Sequence, residues 1–357
     1  MTALAGLLAR RIAATGPLTL ADYMAECLLH PDHGYYATRD PFGAGGDFTT
    51  APEISQMFGE LLGLCVAQAW LDQGAPAPFT LAELGPGRGT LMADVLRATR
   101  AVPGFHAGAS VVLVEASASL REVQRLRLGT APCPVTWAGS VQDLPDAPLF
   151  LLANEFFDAL PIRQFTRHPQ GWAETMVGLS GDALALGRAE PANLARLAHR
   201  LADTRPGDVV ELMPAAAPIM ARIGGLIEAR GGAAIIVDYG GWHSLGDTFQ
   251  ALRDHRFTDP LATPGEADLT AHVDFEALAQ AAAPARASRM IPQGELLTRL
   301  GIAARSGKLA QGLTGAPLAA HLAATRRLTD PSEMGSLFKA LAIHPSRHRP
   351  PPGFDLA

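Results

Sequence analysis

An α/β fold with a largely parallel sheet is what this sequence predicts, and three observations carry that reading. From Phe79 onward, short apolar runs alternate with helix-length segments, the pattern of strand–helix–strand units. The run Leu81-Ala-Glu-Leu-Gly-Pro-Gly-Arg-Gly-Thr90 passes from strand to glycine turn to helix start, where α/β proteins bring backbone against a nucleotide-like ligand. The 357 residues are 48% hydrophobic and 18% charged, enough apolar material for a sizeable core and too much for global disorder.

Before that alternation the chain reads differently. Leu4, Leu7, Leu8 and Ile12 recur at helical spacing over residues 2–14, and Gly16-Pro17 ends that helix. Thr19 is expected to cap a second helix through Tyr23 and Leu28. His30 to Tyr36 is turn-rich, Phe42 to Phe48 is a glycine loop, and helical periodicity resumes from Ser55 to Trp70. Residues 1–75 are therefore read as a helical cap with a glycine loop, and 76–357 as the core.

Within the core, strands are expected at Thr80–Glu83, Ser110–Glu115, Val135–Trp137, Leu149–Asn154 and Ala233–Asp238, with two more near Ala287–Ile291 and Phe338–Ile343. Helices at Leu91–Arg100 and Leu120–Leu128 are long enough to be crossovers. An insertion of about 162–215 should hold a hairpin of Ile162–Thr166 and Trp172–Val177, a helix over Ala192–Ala202 and a short strand at Val209–Met213. Helical additions are expected over about 245–330, including Gly294–Gly301 and Pro317–Thr325.

The glycine loop narrows the ligand. A phosphate-cradling loop needs Gly-Lys-Ser/Thr, and Arg88-Gly89-Thr90 lacks the lysine. Gly85, Gly87 and Gly89 run G-x-G-x-G, not the dinucleotide G-x-G-x-x-G, which weighs against an NAD-dependent oxidoreductase. Glu83 would repel a pyrophosphate but suits a ligand that carries an ammonium and a sulfonium, as S-adenosylmethionine does. Glu115 ends the next strand, where a carboxylate accepts both ribose hydroxyls; the alternative is an ordinary strand-end glutamate.

Asn154-Glu-Phe-Phe-Asp-Ala-Leu-Pro161 begins at the carboxyl end of the fourth strand, on the ligand edge of such a sheet. Glu155 and Asp158, with Asn154, could orient a cationic acceptor such as a guanidinium; the competing reading is a capped helix start with two core aromatics. Gly45-Gly46-Asp47 leads into Phe-Thr-Thr-Ala-Pro-Glu-Ile-Ser55, a loop that could close over a ligand and hold its ammonium with Asp47 or Glu53. Alternatively Thr50 caps a helix with Glu53 as its box partner. Asp238 and Tyr239, ending the fifth strand, are acceptor-site candidates.

Other functions lose ground on composition. A formal net charge of -6 without a long basic run does not recommend nucleic acid as a partner. Cys27, Cys65 and Cys133 form no C-x-x-C pair and read as buried thiols of a reducing compartment. His30, His33 and His272 lack metal-ligand spacing, so no metal is expected. No secretory h-region follows Arg10-Arg11, and the run near Leu61–Leu71 is too short to span a bilayer. These features suggest a soluble, cytoplasmic protein without membrane insertion.

Taken together, Gly46-Asp-Phe-Thr-Thr-Ala-Pro-Glu-Ile-Ser, Glu83-Leu-Gly-Pro-Gly-Arg-Gly-Thr-Leu and Asn154-Glu-Phe-Phe-Asp-Ala-Leu-Pro resemble the MidA family. Val237-Asp-Tyr-Gly and Ala267-Asp-Leu-Thr-Ala-His-Val-Asp-Phe275 continue the match, which runs from Leu20 to near Met334. The resemblance implies a class I methyltransferase (Rossmann-like) core with an N-terminal cap and an inserted subdomain. It implies S-adenosylmethionine as cofactor and Gly46, Asp47, Glu83 to Gly89, Glu115 and Asn154 to Asp158 as the motif positions.

It also implies protein arginine methylation of a subunit of respiratory complex I (NADH:quinone oxidoreductase) during assembly. The location would be the cytoplasm in a bacterium and the mitochondrial matrix in a eukaryote. The chain departs from arginine methyltransferases generally in having no double-glutamate loop. An assembly chaperone or scaffold that binds the cofactor without turnover is the alternative. Oligomeric state stays open, a homodimer included.

Overall fold

A computed structural model describes residues 2–38 and 49–357. Its main sheet is built from strands β1 (Phe79–Leu84), β2 (Ala109–Val114), β3 (Val135–Ala138), β4 (Leu149–Asn154), β5 (Gly232–Gly241) and β6 (Phe338–His344). Their order is 3-2-1-4-5-6; the first five are parallel and β6 runs antiparallel against β5. The order reverses between β1 and β4, so their carboxyl ends open a crevice at the switch point.

Both faces of this sheet are buried, which is why its strands read as nearly continuous apolar runs. Leu81, Leu113, Leu152 and Ile235 face helices Gln56–Asp72 and Thr90–Ala98. Ala82, Val112, Leu151 and Ile236 face helix Ala216–Arg230 and its neighbour Phe275–Ala281. The alternation of successive residues between the two sets is the period-2 pattern of a strand.

Helix Ala216–Arg230 lies where no element is expected from sequence. Its apolar residues Met220, Ile223, Leu226 and Ile227 are buried at helical spacing, but Gly224-Gly225 interrupts the segment in mid-course. Gly224 is required by approach: a Cβ there would lie 1.9 Å from the Ala282 carbonyl oxygen.

The first two helices, Ala3–Thr15 and Leu20–Leu29, form a separate core with Ile162, Val177, Ala251 and Leu269. Thr19 caps the second by accepting the Asp22 N–H at 3.1 Å, as the sequence predicts. The hairpin is present as Arg163–His168 and Gly171–Ser180, extended on one side by Val209–Leu212 and on the other by Ala183–Arg188.

Two local expectations fail for identifiable reasons. The stretch 250–270, expected to be helical, forms a three-stranded sheet of Gln250–Arg253, Arg256–Thr258 and Asp268–Thr270. Its tight turn uses Asp254 and His255 at φ 50° and 60°, so no glycine marks it in the sequence. The strand expected over Ala287–Ile291 is split into Arg286–Ala287 and Ile291–Pro292, because the Ser288 hydroxyl oxygen takes the Ala342 N–H of β6. The helical stretch expected over Ala192–Ala202 is present as a 3-10 run, Ala195–Leu201.

Candidate active site

The glycine loop leaves β1 with Gly85, Gly87 and Gly89 at φ 56°, 50° and 75°, the left-handed region that favours glycine. A Cβ on Gly85 would also lie 2.9 Å from the Phe156 ring. Gln124 secures the loop. Its amide donates to the Gly87 carbonyl at 2.7 Å and to Glu115 Oε2 at 3.1 Å, while its oxygen accepts the Trp137 indole N–H at 2.8 Å. Glu115 Oε1 accepts the Ser117 N–H at 2.8 Å, so this carboxylate is held on a rigid turn.

A cavity of about 290 Å³ runs from Gly85 and Gly87 past Glu115 to Leu120, closed by Leu28, Tyr36 and Phe156. Beside it, a small recess is lined by Glu83, Gly85, Gly87 and Asn154. Among the described residues, Glu83 Oε2 and Asn154 Oδ1 are buried there with no hydrogen-bond partner. Two buried acceptors lacking donors fit the ammonium end of an amino-acid-bearing ligand. Burial, with Glu115 and Asp94 nearby, pushes the Glu83 carboxyl well above the usual carboxylate range, so an incoming cation would restore its charge.

A second and larger cleft, about 470 Å³, adjoins the first; Tyr36 and Glu155 line both. Asp158 and Asp268 join Glu155 on its walls, with Tyr239, Thr270, His272 and Arg327. Among the described residues that line it, three carboxylates accompany one guanidinium, a balance that favours a cationic guest.

Glu155 sits immediately past β4 at φ 51°, a left-handed conformation that costs an ordinary residue ~1–2 kcal/mol. Its Oε1 accepts the Ala51 N–H and the Asn154 amide, each at 3.0 Å. Burial pushes its carboxyl up to about 7, and that of Asp158 up to about 6. The Tyr36 hydroxyl donates to Asp268 Oδ1 at 3.0 Å.

Asp238 has a different place from the one expected. It is fully buried behind the cleft, where Oδ2 accepts the N–H groups of Phe156, Phe157 and Asp158 at 3.2, 3.0 and 3.3 Å. It pins the segment that carries Glu155 and Asp158, while Tyr239 lines the cleft itself.

Glu83, Gly85, Gly87, Glu115, Asn154, Glu155 and Asp158 thus converge on adjoining cavities; Gly89 lies one turn back as the helix N-cap. Gly46 and Asp47 lie outside the described residues. The Thr50–Glu53 capping box is absent: Thr50 makes no side-chain cap, and Glu53 instead accepts the Thr90 hydroxyl. Sequence reasoning missed Tyr36, Gln124, Asp268 and Arg327. Gln124 left a trace, as a polar residue between Leu120 and Leu128 on a buried helical stripe; Asp268 stands within the matching segment Ala267–Phe275 but carries no sign there of its place on the cleft, and Tyr36 lies in the turn-rich passage before the glycine loop.

Comparisons with known proteins identify the family. A family model described as "Putative S-adenosyl-L-methionine-dependent methyltransferase" matches residues 61–292. The chain is 38% identical to the human "Protein arginine methyltransferase NDUFAF7, mitochondrial", over 94% of this chain and 82% of that one. The Drosophila melanogaster homologue of that protein is 35% identical, over 96% and 85%. A solved structure from Burkholderia thailandensis, bound to S-adenosyl-homocysteine, superposes with a TM-score of 0.83 at 31% identity, covering 99% of this chain and 93% of that one. A native crystal structure from the same organism gives 0.80 at 30% identity, over the same shares. The cofactor is S-adenosylmethionine, and the chain belongs to the MidA family of S-adenosyl-L-methionine-dependent methyltransferases.

Proposed function

We propose that this methyltransferase acts on arginine side chains of a protein, and that its substrate is a subunit of respiratory complex I methylated during assembly. The observation that carries the acceptor class is the acidic cleft of Glu155, Asp158 and Asp268, which meets the cofactor cavity at Glu155 and Tyr36. The printed name of the relatives supports arginine as the acceptor residue. The family resemblance of the motifs supports complex I as the assembly. The compartment that follows is the cytoplasm in a bacterium or the mitochondrial matrix in a eukaryote.

In this reading Glu83, Asn154 and the Gly85–Gly89 loop hold the methionine portion, together with Gly46 and Asp47, and Glu115 holds the ribose hydroxyls. The cofactor supplies an electrophilic methyl group on a sulfonium. Glu155 and Asp158 fork a guanidinium by hydrogen bonds and turn one nitrogen toward the cofactor cavity. A guanidinium must shed a proton as its nitrogen gains a methyl group, and Glu155 is placed to accept it. A carboxyl poised near 7 can do so at neutral pH, where an ordinary exposed glutamate would be a weaker base. Apolar walls of Phe156, Leu160 and Leu120 exclude water from the cofactor side.

The test is amino-acid analysis of purified complex I from cells with and without this protein. Methylated arginine present only with the protein supports the proposal. Cofactor binding without any methylated arginine would favour the scaffold alternative.

A further inference from the structure

The acidic cleft has one wall whose character changes in steps. Gln250–Arg253, Arg256–Thr258 and Asp268–Thr270 form a small antiparallel sheet, and one of its faces is that wall. Register places Phe257 opposite Leu252, and Leu252 opposite Asp268. The row thus runs from an aromatic ring on the edge strand, through a leucine, to a buried carboxylate. Phe257 is 75% exposed, and Leu337, which lines the same cleft, is 51% exposed. Among the described residues, Phe257 is the one aromatic among the exposed large hydrophobic side chains, and it stands at the entrance to the cleft.

Exposed leucines elsewhere on the surface are ordinary. A solvent-exposed phenylalanine and leucine that both line one acidic cavity are less so, because water gains nothing from them while a docked chain does. The hairpin that presents Phe257 turns through Asp254 and His255, both left-handed non-glycine residues, and His255 also lines the cleft.

We propose that Phe257 and Leu337 form a docking lip for a polypeptide acceptor, gripping an apolar side chain two positions from the arginine that enters the cleft. This rests on the reading that a guanidinium is the group drawn in by Glu155, Asp158 and Asp268. Phe257 lies two strand spacings from Asp268, ~10 Å. Side chains two residues apart on one face of an extended peptide are separated by ~7 Å, and the arginine stem spans the remainder. Charge complementarity selects the arginine, and the lip selects its neighbour. A free arginine or a small guanidine would leave the lip bare, so the occupant is a polypeptide segment.

Fluorescence anisotropy on the full chain saturated with S-adenosyl-homocysteine tests this with three labelled eleven-residue peptides. The first has a central arginine with leucine at both second neighbours, in a serine–glycine background. The second replaces the leucines by serine, and the third keeps the leucines but replaces arginine by glutamine. The first should bind at least tenfold tighter than the second, about 1.4 kcal/mol. Phe257→Ser should bring that ratio below about threefold while leaving the second peptide's affinity unchanged.

Equal affinities for the first two peptides, no binding of either, or equal weakening of both by Phe257→Ser would each overturn the lip. If the glutamine peptide binds as tightly as the first and Phe257→Ser weakens both, the lip stands and the guanidinium reading falls.

Discussion

Glu155 Oε1 accepts the backbone N–H of Ala51 at 3.0 Å, joining two residues that are 104 positions apart in the chain. Ala51 begins the short helix Ala51–Ile54, and Glu155 follows the fourth sheet strand, so the contact locks an N-terminal element onto the switch point. The strained backbone at Glu155 is held by the Val237 carbonyl, which accepts the Glu155 N–H at 2.9 Å. Strain retained where two cavities meet is the usual mark of a working position.

Glu155→Gln keeps the shape and the Ala51 contact but removes the base and one charge. Methyl transfer should fall by at least ~100-fold, the usual contribution of general-base catalysis. Cofactor affinity should change by less than tenfold, about 1.4 kcal/mol. Isothermal titration with S-adenosylmethionine, alongside a turnover assay, reads both. Unchanged turnover would remove Glu155 from the reaction.

The pH dependence follows from the raised carboxyls. Below about 6 both Asp158 and Glu155 are protonated, and above about 7 both are ionised. A cationic acceptor needs the ionised forms, so kcat/KM should climb through this window and level off above it. For stability the sign is opposite. Between an ordinary carboxylate pKa and about 7 the folded protein holds a proton at Glu155 that the unfolded chain has lost, so folding stability drains away as pH rises through that interval. The stability of Glu155→Gln relative to wild type should therefore be greater at pH 8 than at pH 5. Denaturant melts of both proteins at the two pH values would reveal a flat difference if Glu155 titrates normally.

Asp238 acts at one remove from the chemistry. Replacing it by alanine strands three buried N–H groups at Phe156, Phe157 and Asp158, each worth ~1–3 kcal/mol when left without a partner. Asp238→Ala should lose at least ~3 kcal/mol of stability, while Asp238→Asn, which retains an acceptor oxygen, should lose less and recover part of the activity. Urea unfolding distinguishes the two, and an undiminished midpoint for the alanine variant would mean the segment does not depend on this carboxylate.

Gln124 joins the glycine loop to Glu115 and to Trp137. Gln124→Leu preserves the volume and removes all three hydrogen bonds. We expect cofactor affinity to fall about tenfold, the equivalent of ~1.4 kcal/mol, with little effect on acceptor KM at saturating cofactor. Titration calorimetry with S-adenosyl-homocysteine checks the first part. An unaltered Kd would show that the loop holds its shape unaided.

The fold was legible where local signals agreed with one another. Strands β1, β2, β4 and β5 announced themselves as largely apolar runs, since a doubly covered parallel strand has no solvent-facing side, while the edge strand β3 is only partly buried. Helix Ala216–Arg230 escaped because Gly224, needed for close approach to Ala282, breaks the local preference for helix. The sheet at 250–270 escaped because Asp254 and His255 adopt a turn that the sequence would ordinarily signal with asparagine or glycine.

At the site, residues inside contiguous motifs could be found, Glu83, Glu115 and Glu155 among them. Asp268 and Tyr36 are 232 positions apart, and only folding brings their hydroxyl–carboxylate pair to the cleft. Asp238 was recognisable as important, but its task of accepting backbone N–H groups depends on the course of a different segment.

The measurement that bears most directly on the central claim is labelling of a lysate from cells lacking this protein. Purified wild-type protein and tritiated S-adenosylmethionine are added, and the labelled bands are hydrolysed to amino acids. Label should be recovered as methylarginine in a complex I subunit, and Glu155→Gln should abolish it. Label confined to another amino acid or to a small molecule would contradict the claim, as would no label from a preparation that binds the cofactor.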